Sequence, residues 1–143
     1  MIGSLAVFCL FPMGCSSEPS RYPVTGTVTI NGSPAALTHV NFIAIDPATP
    51  TSSGGSATTD GDGNFTITNG DKTPGLFSGE YKVIFQQTLM DGKPTLGGSR
   101  GKRSAMVPGE SEGVPSEYLT PDTTPIRVTV KKNMEPCKFE IKK

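Results

Sequence analysis

The chain of 143 residues balances 13 basic against 13 acidic side chains, which gives no electrostatic case for nucleic acid or for an acidic membrane surface. Its 34% hydrophobic content, with 17 glycines added, is enough for one modest core, while those glycines and 13 prolines argue against long helices. Three cysteines do not make a disulfide framework.

Residues 1–13, MIGSLAVFCLFPM, are almost wholly apolar, and the polar run CSSEPSR follows. The run is too short to span a bilayer as a helix, so residues 1–14 read as a signal peptide. Pro12-Met13-Gly14-Cys15, followed by Ser16-Ser17, resembles a bacterial lipobox. That resemblance implies a lipidated Cys15 and a short tether over residues 15–21. Gly14 and Ser16 fit the pattern. Pro12 departs from it, because Leu is usual there, and no Lys or Arg precedes the apolar run. An ordinary cleaved signal and a buried N-terminal strand are the alternatives. With lipid in place, acyl chains at ~0.8 kcal/mol per buried CH₂ give lasting attachment to a membrane.

The body, residues 22–143, alternates polar and apolar side chains in short segments. Residues 22–30 place Val24, Val28 and Ile30 on one face, with Gly26 marking a bulge or a close backbone approach. Asn31-Gly32 favours a type I′ turn. Residues 38–46 carry Val40, Phe42 and Ala44 on one side and Ile43 and Ile45 on the other, which suits a central strand or a covered edge. A Pro/Thr/Ser/Gly-rich surface loop follows over 47–55. Ala57-Thr58-Thr59 then leads through Asp60-Gly61-Asp62-Gly63 into residues 64–68, where Phe65 and Ile67 share a face. Asp-Gly between two such runs predicts a hairpin. Residues 80–85 direct Tyr81, Val83 and Phe85 one way and Lys82 the other, as in a half-buried antiparallel strand.

Residues 89–115 are glycine-rich and show little periodicity, so a long flexible loop is expected there. Basic residues come first (Lys93, Arg100, Lys102, Arg103), then Glu110, Glu112, Glu117 and Asp122. The basic half is a candidate contact for an anionic partner such as lipid head groups or cell-wall polymer. A single helical turn over 114–119 precedes alternating strands at 126–131 and 136–142, the last with Cys137, Phe139 and Ile141 inward. About seven strands joined by frequent turns predict an all-β fold, an antiparallel β-sandwich.

Few residues suggest chemistry. His39 is the single histidine, so a Ser-His-Asp arrangement would have to use it; it reads instead as a polar residue at a strand edge. Cys137 reads as a small buried hydrophobe. Asp60, Asp62 and Asn64 open a calcium-loop pattern, D-x-D-x-N, but Phe65 takes the glycine position and Asp71 the place of the closing Glu. A plain turn is the reading, with a loose calcium site as the alternative. No Cys/His spacing suits zinc and no Walker-type phosphate loop occurs, so no cofactor is expected.

Four pieces stand in order: VTGTVTINGSP, TTDGDGNFTI, GEYKVIF and VPSEYLTPDTTPIRVTV. Together they resemble the carboxypeptidase regulatory-like, or transthyretin-like, β-sandwich found in many small bacterial lipoproteins. The likeness covers residues 22–142, apart from the loop at 89–113. It implies that the Asp-Gly hairpin and the G-x-Y strand are structural, and that the domain is an extracytoplasmic, non-catalytic accessory or adhesion-type module. The related fold also carries hydroxyisourate-type hydrolases, which need several histidines and a Tyr-Arg-Gly-Ser tail, and iron dioxygenases, which need two His and two Tyr ligands. This chain has one His and ends Phe139-Glu140-Ile141-Lys142-Lys143. The expectation is a membrane-anchored envelope lipoprotein, periplasmic or on the cell surface, with an envelope protein or polysaccharide as partner and no nucleic acid. A small extracytoplasmic hydrolase, a carbohydrate-binding or adhesion module, and a subunit that pairs through an exposed strand edge are the alternatives.

Overall fold

The computed structural model describes residues 19–45, 54–96 and 108–143. Their alternating segments form β1 (Arg21–Tyr22), β2 (Thr25–Ile30), β3 (Ser33–Pro34), β4 (His39–Ala44), β5 (Gly55–Thr58), β6 (Asn64–Thr66) and β7 (Thr68–Asn69). They continue as β8 (Leu76–Phe77), β9 (Gly79–Gln86), β10 (Thr88–Met90), β11 (Lys93–Thr95), β12 (Glu110–Glu112), β13 (Arg127–Val130) and β14 (Cys137–Ile141). One 3-10 turn, Ser116–Tyr118, falls within the expected helical turn, and among the described residues there is no α-helix.

The largest sheet runs β13-β9-β4-β5-β7, so β4 is a central strand with β9 and β5 on either side. This explains why Ile43 and Ile45, opposite Phe42, are themselves half-buried. A second sheet runs β14-β2-β3, with β6 also on β2. Two small sheets, β1-β8 and β11-β10-β12, complete the set. Val28, Phe65, Phe139 and Ile141 of the second sheet are buried together with Val40, Phe42, Tyr81, Val83 and Phe85 of the first. The rings cross from one sheet to the other: Phe139 lies 5.3 Å from Phe85 and 6.4 Å from Phe42, and Phe65 lies 6.4 Å from Phe42 (centroid distances).

The described residues contain fourteen β-segments rather than about seven. Pro23, with no N–H to donate, separates β1 from β2. Ile67 divides the expected strand at 64–68: its N–H reaches Val24 O, β6 pairs with β2, and β7 pairs with β5 in the other sheet. The predicted Asp-Gly hairpin is also corrected. β5 pairs with β4 and β7, β6 pairs with β2, and the turn at 60–63 is a corner between two sheets. Nor is the fold wholly antiparallel, because β14 runs parallel to β2, with Phe139 opposite Val28 and Ile141 opposite Ile30. Asn31-Gly32 does form the expected two-residue turn, with φ of +50° and +81° and Ile30 paired to Ser33.

The stretch expected as one flexible loop contains structure. β10 pairs with β11 across a turn at Asp91-Gly92 and with β12 on its other side. Gly113 donates to Gln87 O at 2.7 Å, and Val114 is buried. Polar, glycine-rich composition concealed a short hairpin because its strands bury little apolar surface.

A buried polar clamp fixes the chain before β4. The Thr59 hydroxyl donates to Ala35 O and accepts from Thr38 N at 2.9 Å. Thr59 N donates to Thr38 O and Leu37 N to Thr59 O, while Gln87 Nε2 donates to Ala36 O at 2.8 Å. Thr59→Val keeps the shape but leaves the Thr38 N–H and Ala35 C=O unpaired in a site only 2% exposed. It is expected to cost about 1–3 kcal/mol in urea unfolding.

Candidate functional site

Of the sequence-predicted site residues, the fold brings three together. Asp60 closes the inter-sheet corner: its Oδ1 accepts from Asp62 N and Asn64 N, both at 2.9 Å, and its Oδ2 accepts from Asn64 Nδ2 at 3.4 Å. Asn64's backbone N–H is the main reason that the Asp60 carboxyl titrates below its ordinary value. A carboxylate so engaged serves as a backbone cap. Asp62 is exposed beside it, and among the described residues no group of three or more His, Cys, Asp or Glu is placed to hold a metal ion.

The other candidates lie apart. His39 opens β4, opposite Thr58 on one side and Gln86 on the other. It is exposed, yet loss of surrounding water holds its pKa below that of a free imidazole. Among the described residues no hydrogen bond or ion pair joins it to a carboxylate. Cys137 is half-buried against the core, and burial raises its thiol pKa, so it is protonated at neutral pH. Gly26 opposes it: a Cβ there would come within 2.4 Å of Cys137 O and 2.7 Å of the Phe65 ring, the close approach that its place in β2 suggested. Lys93 is exposed on β11, whereas Arg100, Lys102, Arg103 and Cys15 lie outside the described residues.

One feature escaped sequence reasoning. Arg21, where the body begins, sets its guanidinium 4.6 Å from the centre of the Phe77 ring and its Nη2 3.5 Å from Asp71 Oδ2. Asp71 titrates below its ordinary value, first because of hydrogen bonds from Thr73 and then because of the Arg21 charge. β1 is meanwhile paired to β8, Arg21 opposite Phe77 and Tyr22 opposite Leu76. No local signal joins residues 50 positions apart in sequence. The arrangement fastens the first strand of the body through backbone, cation–π and ionic contacts at once.

Among the described residues no helix is long and apolar enough to cross a membrane. Fold and site together define an all-β protein whose acidic turn is a structural corner. In comparisons with known proteins, no family model, no curated protein and no solved structure matches this chain.

Proposed function

We propose that the chain is a non-catalytic β-sandwich module of the bacterial cell envelope, anchored to a membrane by lipid on Cys15. The sandwich reading is supported by the aromatic contacts that run from one sheet to the other. The observation that carries the anchor is the juxtaposition, within one short stretch, of a lipobox-like Gly14-Cys15-Ser16 and the fastened strand at Arg21. Fully extended, the intervening residues 16–20 span about 17 Å. Such a tether holds the body close to the bilayer surface without burying any of it. Lys93, Arg100, Lys102 and Arg103 are the candidate contacts for an anionic partner, and an envelope protein or polysaccharide is the partner class. The module is extracytoplasmic and needs no cofactor.

The test is metabolic labelling with radioactive palmitate in a bacterial host. Label enters the wild-type chain and is lost in Cys15→Ser, while the far-ultraviolet circular dichroism of the body is unchanged. Label retained in Cys15→Ser, or a mature N-terminus elsewhere than at residue 15, would overturn the anchor.

A further inference from the structure

Among the described residues β14 pairs with β2 alone, so its other side is an open sheet edge. The backbone phase of that edge can be read from two contacts. Ile141 O accepts from Asn31 N at 2.8 Å, and Phe139 O accepts from the Thr29 hydroxyl at 3.4 Å. Phe139 and Ile141 therefore turn their carbonyls toward β2. By the alternation of a strand, Lys138 and Glu140 present their N–H and C=O groups to the open side. The side chains of Lys138 and Glu140 are exposed.

We infer that two copies of this chain pair antiparallel through β14, about a two-fold axis at Phe139. In that register Lys138 of each copy stands opposite Glu140 of the other, and both are residues whose backbone groups face outward. The hydrogen-bonding phase and the charges thus agree. Outside the strand, exposed Glu135 stands opposite exposed Lys143 of the other copy. A slip of two residues one way sets Lys138 against Lys138, and the other way sets Glu140 against Glu140, so like charges oppose both slips. Such an interface is isologous and closes on itself, which blunts an edge that would otherwise recruit strands without limit. Another sheet edge, β13, has no comparable self-match: its charged residue, Arg127, lies 3.9 Å from Glu80 of its own sheet. The inference does not depend on whether Cys15 carries lipid.

The test is sedimentation velocity on the full chain in nonionic detergent, over a series of concentrations, with amide exchange on the same samples. The wild type is expected to show a reversible monomer–dimer equilibrium, with the Lys138 and Glu140 amides becoming protected as concentration rises. Lys138→Glu or Glu140→Lys alone sets like charges opposite each other twice per dimer and is expected to raise the dimer Kd by about tenfold. Combining the two restores opposite charges and is expected to bring Kd back near the wild-type value. These residues lie on the solvent face, so the variants remain folded. A wild type that stays monomeric at every concentration, a dimer indifferent to the single reversals, or a double variant that fails to recover would each overturn the inference.

Discussion

Phe42→Ala is expected to remove about 3–5 kcal/mol of folding stability, a large share of the ~5–15 kcal/mol that holds an ordinary domain together. The ring is fully buried at 0% exposure and meets three others: Tyr81 on its own sheet at 6.2 Å, and Phe65 and Phe139 on the opposite sheet, both at 6.4 Å. Truncation removes apolar area, three aromatic pairs worth about 0.5–1.5 kcal/mol each, and the material that fills the space between the sheets. Collapse cannot close the gap, since β4 is hydrogen-bonded to β9 on one side and to β5 on the other. Ile43→Ala, one residue along and on the opposite, half-buried face, is the internal control and is expected to cost about 1 kcal/mol. Urea titration should show the Phe42→Ala midpoint falling with an unchanged slope. Equal losses at the two positions would mean that the Phe42 face is not the core.

The alternation that identifies Phe42 also identifies Tyr81, Val83 and Phe85 on β9, Val24 and Val28 near β2, and Phe139 and Ile141 on β14, all of them buried. Alternation reports which face of a strand is dry. It carries no information about which strand lies alongside or in which direction it runs, so the parallel pairing of β14 with β2 was not legible. The same limit hid the passage of residues 64–69 from one sheet to the other. Turn chemistry is local and was better read: Asn31-Gly32 and the Asp60 turn are where their residue types place them. Asp91-Gly92 carries the same kind of signal, but the glycine-rich surroundings masked it. The Thr59 clamp and the Arg21–Asp71 contact join segments 21 to 50 residues apart and follow from tertiary placement alone.

Gly63→Ala is expected to cost about 2–5 kcal/mol, whereas Gly61→Ala, two residues earlier in the same turn, should change stability by no more than about 0.5 kcal/mol. Gly63 sits at φ +78°, where an L side chain is strained, and a Cβ there would come within 2.4 Å of Val28 O. Neither problem can be relieved by a small shift. Gly63 O accepts from Val28 N at 2.9 Å and Gly63 N donates to Asp60 O at 3.1 Å, so the residue is held against β2 at one end and against the cap at the other. At Gly61 a Cβ meets nothing within 4 Å. The pair of variants therefore separates two geometries that the same four letters allow. In an isolated Asp-Gly hairpin the turn projects into solvent, and its glycines answer only to their own backbone angles. In the inter-sheet corner Gly63 also answers to the strand beneath it. Thermal melts decide between them: a fall of about 10 °C or more for Gly63→Ala beside an unshifted Gly61→Ala is what the corner requires, and a Gly63→Ala protein that melts with the wild type would separate Gly63 from β2.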